Sequence, residues 1–597
     1  MKKYLTPIKI ITSAFLFILS QGLTGQINQI GADIDGETTL NFSGRSVAVS
    51  GNGNILAIGA PFNNGNGSLS GHVRVYELVS GSWVQLGGDI DGENSGAKSG
   101  SAVSLSFDGL TLAIGSPSLS INGVNTGSVR VFTWNSNNWV QLGNDIVGAT
   151  PGEEFGASLA LSKSGNRIII GAPKKSINGV PSGEARIYEL VSGAWSLVGN
   201  ALIGLSTDEQ FGFSVSINGS GDRVAIGAPQ RNDSSAVKIG AVEIYELLNN
   251  SWVAVCAPIF GESGNDESGT SIMITQESNR IIIGAPKNSG SSALAGHARV
   301  YDVVNGNVIQ IGSDIDGESA VDFSGRSVAI NSNGNSIAIG AFYNDGNGFD
   351  AGQVRYFELS NGNWIQRGTD LDGEALNDFS GVSISMSSRG NILAVGADHN
   401  DGNGPESGHV RVYNACFDSI ISHPINFTSF VNPGWALFTL SCSDTSSEFQ
   451  WESNDGTGWS QMTDGLNVIG SKNDTLQLQN ITLGMNNTRF RCIVSHCRID
   501  TSQEAFLEVI NGLNNPELNG FNLISYPNPS QGRFTVTIPL SYLNGIFDIY
   551  DSSGKVLLHG DLKNRSMDFD LSDWPRGSYQ FQVRLNASQI NHIFMIR

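Results

Sequence analysis

An apolar run closed by Gly-Ala-Pro or a near relative returns seven times, at a spacing of 56 residues broken once by 57. Its glycines are Gly59, Gly115, Gly171, Gly227, Gly284, Gly340 and Gly396. A second mark, Phe-Ser-Gly, Phe-Gly or a variant without the aromatic, precedes each copy at a nearly constant interval, ending at Gly44, Gly100, Gly156, Gly212, Gly269, Gly325 and Gly381. Two marks in lockstep restrict the chain to one supersecondary unit per repeat, each packed on its neighbours. In the first copy Ser46 to Ser50 alternates, Ile55 to Ala60 is almost wholly apolar, His72 to Leu78 alternates, and Trp83 to Ile90 reads as an outermost strand. Four short strands separated by Gly, Asn and Ser turns predict a propeller blade in an all-β chain.

Closure is also written in the sequence. The seventh copy has three strands, through Val410 to Tyr413, and then runs into Asn414-Ala415-Cys416. Residues Ile27 to Glu37 (INQIGADIDGE) match Trp83 to Glu93 (WVQLGGDIDGE) and have no first three strands before them. They are predicted to supply the missing fourth strand, which removes both sheet edges. The expected architecture is a seven-bladed β-propeller over 27–414, closed by the amino-terminal strand.

The paired Phe-x-Gly and Gly-Ala-Pro marks resemble the FG-GAP repeat of integrin α-subunit propellers. Repeats of that family often carry a calcium loop, Asp-x-Asp-x-Asp-Gly-x-x-Asp, between the first two strands. Here that hairpin reads Gly51 to Asn54, Ser162 to Asn166 or Asn331 to Asn335. None of these supplies the carboxylate oxygens that calcium wants, so the family's metal sites do not carry over.

Outside the repeats, Lys2, Lys3 and Lys9 precede an apolar stretch from Ile10 to Leu19, read as an export signal over 1–25. No later stretch is apolar enough to span a membrane. A new pattern begins at 418 and runs to 511: Phe438, Leu440 and Cys442 alternate, Trp451 follows, and Phe490 stands two residues before Cys492. This set resembles the immunoglobulin core, and the resemblance implies a β-sandwich with a Cys442–Cys492 disulfide and Phe490 at the corner-tyrosine position. Cys416 and Cys497 are a second expected pair, disulfides being permitted in an exported chain.

Over 519–597, Ile524 to Pro529 (ISYPNP), Phe547 to Asp551 (FDIYD), Met567 to Leu571 (MDFDL) and Gly577 to Tyr579 resemble the type A carboxy-terminal sorting domain of the bacterial type IX secretion system. The segment reads as a small β-sandwich. The resemblance implies a Bacteroidetes-type source, a partnership with the secretion machinery, and a secreted or outer-membrane cell-surface destination by way of the periplasm.

The net charge of −21, from 34 basic and 55 acidic residues, argues against nucleic acid, whose phosphates demand clustered Lys and Arg. The sequence offers no metalloprotease, nucleophile-elbow or phosphate-loop motif, and no catalytic set is predicted. His72, His297 and His409 share one repeat position, where other copies hold Ser128, Glu184 or Gln353. They are read as tolerant strand-start residues rather than ligands.

One constellation stands out. The loops joining second to third strands and those leading into the next blade lie on the same end of a propeller. Blades six, seven and one carry NDGNG or NNGNG in the first class and DIDGE or DLDGE in the second. Asp314, Asp316, Asp345, Asp370, Asp372 and Asp401, with Asp33 and Asp35, are therefore expected in one acidic sector able to take calcium. The alternative is that Asn, Asp and Gly serve the turns themselves. Three classes of function remain: a non-catalytic surface binding or adhesion protein for a protein or glycan ligand, a secreted glycan-active enzyme, and a structural envelope or matrix component.

Overall fold

The computed structural model describes residues 27–276, 279–415, 420–430, 434–442, 447–495, 499–510 and most of 524–596. The leader read at 1–25, Cys416 and Cys497 lie outside the described residues. The chain is all-β, with one short 3-10 turn at Leu483–Met485 among the described residues. It divides into two compact units, Met1–Ser419 and Ile420–Arg597.

Among the described residues the first unit is a β-propeller with seven five-stranded sheets, beside two short two-stranded hairpins at Ser120–Asn125 and Ser176–Pro181. In the first sheet Ser46–Val49, Ile55–Ala60, His72–Val79 and Ser82–Gln85 pair antiparallel in chain order, and Ile90–Asp91 returns to the third strand. The outermost strand is thus not the continuous run its alternation suggests. Between Gln85 and Ile90 the pairing slips, with Gly87 at φ +83°, a left-handed conformation that glycine takes at little cost. The central strand Ile55–Ala60 is buried at every position, as its nearly unbroken apolar composition requires.

The innermost strands of successive sheets pack on one another, and the last, Ser383–Met386, packs on the first, Ser46–Val49, so the sheets form a closed ring. The two sequence marks meet at each junction. A Cβ on Gly59 would lie 2.1 Å from the carbonyl oxygen of Gly100, and one on Gly396 would lie 2.1 Å from that of Gly44. The first mark of one sheet therefore packs flush against the second mark of the next, which is why they keep step. Ser46 Oγ donates to the same Gly100 oxygen at 2.8 Å, and Ser383 Oγ to that of Gly44 at 2.6 Å.

Further ties run between sheets on the outer side. Trp139, Trp195, Trp252 and Trp364 each donate Nε1–H at 2.9 Å to the carbonyl of Leu86, Leu142, Val198 or Ile311 on the preceding outer strand. The seventh sheet takes its outer segments from the other end of the chain. Asn28–Gln29 and Ile34–Asp35 pair antiparallel with His409–Asn414.

In the second unit, Phe427–Phe430, Ala505–Ile510, Thr488–Ser495, Glu448–Asn454 and Ser460–Gln461 form one sheet, and Trp435–Thr439, Thr475–Gln479 and Val468–Ile469 another. Their inner faces share a core of Phe438, Trp451, Leu476, Phe490 and Cys492. Phe490 stacks on Phe438 with ring centroids 4.7 Å apart. Cys442 packs against the same core, in which Cys492 is buried. The last segment pairs Ile524–Tyr526, Arg533–Thr537 and Ser566–Asp570 in one sheet and four strands between Ile546 and Ile596 in another, around Phe534, Phe547, Phe581 and Phe594.

Candidate functional site

The second-to-third-strand loop of each sheet and the loop leading into the next sheet interlock at one end of the ring. Gly71, Gly127, Gly183, Gly240, Gly296 and Gly352 each bridge backbone to backbone with the residue just before the glycine of the following Phe-Ser-Gly mark. Buried aspartates fasten these loops. Asp378 accepts from the backbone N–H of Glu374 at 3.0 Å and Ala375 at 2.9 Å, and from Asn400 Nδ2 at 3.1 Å. Asp322 does the same with Glu318, Ser319 and Asn344. Much of the Asn and Asp in these loops therefore holds the turns.

The predicted acidic sector resolves into separate positions. Asp345 and Asp401 turn their carboxylates back onto their own loops, accepting from Asp350 N and Glu406 N at 2.8 Å. Asp370 accepts from Gln366 Nε2, and Asp314 from Gln310 Nε2, each at 2.7 Å. Asp372 stands beside the Asn344–Gly346 turn of its own sheet. Asp35, Asp316 and Asp372 are raised above the ordinary carboxylate range, first by burial and then by Asp33, Asp314 and Asp370 two residues before them. The aspartate that acts on Asp35, Asp316 or Asp372 is thus the one two residues before it, and among the described residues the eight are not brought together as one cluster.

Convergence occurs instead at the histidines. His72, His297 and His409 begin the third strands of the first, fifth and seventh sheets, each 1 % exposed. Each meets an aspartate from the outer segment of its own sheet and a glutamate from the loop of the preceding sheet. The groups are His72 with Asp89 and Glu37, His297 with Asp314 and Glu262, and His409 with Asp33 and Glu374. Burial, then the arginine two residues on, pushes all three imidazoles down to about 4. The glutamate stands 35 residues before its histidine in every case, a spacing that a search across repeats rather than within one would have caught.

A second feature lies at the inner mouth of the same loop end. A recess of about 390 Å³ is lined by Arg45, Phe62, Lys98, Glu154, Phe213 and Arg326, among others. Half-buried aromatic rings extend from it. Phe42 packs on Phe62 at 4.9 Å and on His399 at 4.8 Å, and Phe342, Tyr343 and Phe379 continue the row with centroids 5.2 to 5.9 Å apart where they meet Phe379. Lys98 lies 5.3 Å over Phe62, and Arg326 5.9 Å over Phe342. Arg326 is held down to about 10 by burial and then by the like charge of Arg45. The Phe-Ser-Gly mark thus has a second use: its glycine packs the ring, and in three sheets its aromatic, Phe42, Phe323 or Phe379, joins this row of rings.

Comparison with known proteins bears on destination. Three solved structures are similar to part of the chain. They are the periplasmic gluconolactonase of Pseudomonas aeruginosa (12 % identity, TM-score 0.40, 72 % of this chain and 99 % of that one), the Dos1 propeller (14 %, 0.37, 65 % and 95 %) and the β-propeller domain of the Trilobed protease of Pyrococcus furiosus (10 %, 0.38, 62 % and 92 %). No curated protein matches in sequence. Residues 525–597 match the family described as the secretion system C-terminal sorting domain. Among the described residues no helix is long and apolar enough to cross a membrane. By its last domain, then, this chain is a cargo of the type IX secretion system, delivered to the cell surface or beyond it.

Proposed function

We propose that the protein is a non-catalytic binding or adhesion protein of the cell exterior. Its seven-bladed FG-GAP-type propeller presents the mouth of the ring to an anionic glycan, and an immunoglobulin-like domain follows it in the chain before the sorting domain. The carrying observation is the combination at the mouth. Half-buried Phe42, Phe62, Phe342 and Phe379 offer flat apolar faces for sugar rings, while Arg45, Lys98 and Arg326 offer cations to carboxylate or sulfate groups. A recess lined by aromatic faces with a few converging polar groups is the usual form of a small-ligand site.

A glycan array probed with the full secreted protein tests this. Retention of uronic-acid-containing or sulfated glycans is expected, and Phe62→Ala or Arg326→Ala should weaken it about tenfold, equivalent to about 1.4 kcal/mol. Binding that persists in both variants places the ligand elsewhere. Cleavage of a polysaccharide panel by the protein would replace this reading with an enzymatic one.

A further inference from the structure

We propose that His72, His297 and His409 are each a ligand of a divalent transition ion of the zinc class, completed by Asp89 and Glu37, Asp314 and Glu262, and Asp33 and Glu374. This goes beyond the glycan reading and does not depend on it.

The distances carry the first part of the argument. His297 Nδ1 lies 3.7 Å from Asp314 Oδ2 and 4.0 Å from Glu262 Oε2; His409 Nδ1 lies 3.9 Å from Asp33 Oδ2 and 3.8 Å from Glu374 Oε2. His72 Nδ1 lies 3.8 Å from both Glu37 and Asp89. Hydrogen bonds do not reach that far. A tetrahedral zinc ion with bonds of about 2.0–2.2 Å holds its ligand atoms about 3.4 Å apart, so the groups stand slightly open and would draw in on the ion. Within each group all ligand atoms lie within 4.8 Å of one another.

The second part is independent. Both ring nitrogens of His297 and His409 are buried without a hydrogen-bond partner. A buried polar group left so costs about 1–3 kcal/mol, and Nδ1 is the atom that faces the carboxylates. The same position in the sixth sheet has no such deficit, because Gln353 Nε2 donates directly to Glu318 Oε2 at 3.0 Å. The amide satisfies itself from the protein; the imidazole at the equivalent site does not.

The chemistry agrees. Two carboxylates balance the charge of a divalent ion, and an imidazole nitrogen supplies the third ligand atom. Arg299 Nη1 lies 3.1 Å from Glu262 Oε1, leaving Oε2 toward the histidine, so the carboxylate is oriented from behind. Imidazole with carboxylate selects zinc-like ions over calcium, which takes oxygen ligands. The carboxylates are 29–45 % exposed, which leaves the sites open to exchange.

The test uses the full chain, stripped with chelator and dialysed against micromolar zinc chloride, with bound metal read by mass spectrometry. Wild type is expected to hold three zinc ions per chain, one for each group. His72→Gln, His297→Gln and His409→Gln should each remove one, and the triple variant all three, with an unchanged circular dichroism spectrum because glutamine already occupies this position in the sixth sheet. X-ray absorption of the zinc-loaded protein should show imidazole scattering. Equal zinc in wild type and triple variant, no zinc in wild type, or displacement of zinc by equimolar calcium would each overturn the assignment.

Discussion

Arg45 donates through Nη1 to Asp398 Oδ2 at 3.0 Å, joining the first sheet to the seventh across 353 residues of sequence. Asp398 is fully buried and also meets His399 Nδ1 at 2.8 Å. The seam where the ring closes is therefore fixed by charge as well as by strand pairing. Asp398→Ala would strip the partner from both Arg45 and His399. We expect a loss of about 1–3 kcal/mol, measured by chemical denaturation, and a smaller loss for Arg45→Ala, because His399 still satisfies the buried carboxylate.

Removal of residues 27–37 deprives His409–Asn414 of its outer partners Asn28–Gln29 and Ile34–Asp35. The exposed edge should make the truncated chain oligomerise or unfold. Size-exclusion chromatography and thermal melting check this; a monomer with an unchanged melting temperature contradicts it.

Acid should weaken the fold from a pH at which ordinary carboxylates are still ionised. His72, His297 and His409 are lowered to about 4 in the folded state against 6.5 when unfolded. Between those values the unfolded chain binds more protons, so stability is full above about 6.5 and falls as the pH drops toward 4. Asp35, Asp316, Asp372, Glu262 and Glu374 are raised and so act in the opposite sense at the acid end of that window. Denaturation midpoints taken in chelator should fall between pH 6.5 and 5, and the triple histidine-to-glutamine variant should flatten that slope.

Deletion of residues 525–597 should leave the propeller folded and the protein stranded in the periplasm, since only that segment carries the secretion match. Cell fractionation with an antibody to the propeller reads the outcome. Normal surface display of the truncated chain would refute the dependence.

Cys442 and Cys492 pack in one core. Oxidation should join them, adding about 2–4 kcal/mol of stability. Peptide mapping of unreduced secreted protein should find the linked pair.

The repeat period, the four-strand unit and the matching Ile27–Glu37 segment were legible because each is a local pattern repeated in register. The break of the outer strand at Gly87 was not, since Trp83 to Ile90 keeps its apolar alternation through the slip. The acidic residues were visible, but their grouping was not. Glu374, His409 and Asp33 come from two loops and a strand start that meet only once the ring has closed, and reasoning within one repeat leaves them apart. Asp345 and Asp401 satisfy their own backbone, a use of aspartate that composition does not distinguish from a ligand. The aromatic mouth was hidden for a related reason: Phe42, Phe323 and Phe379 read as parts of a packing motif, and their exposure depends on where the ring's axis falls.

The seventh sheet is completed by Asn28–Gln29 and Ile34–Asp35, so its two halves leave the ribosome at opposite ends of the synthesis of the whole repeat array. Until Asn414 is available, Asn28 has no strand to pair with. Pairing over so long a separation is slow, because the intervening loop must be ordered before the contact rewards it. Closure of the ring is consequently a late event that waits on the last repeat.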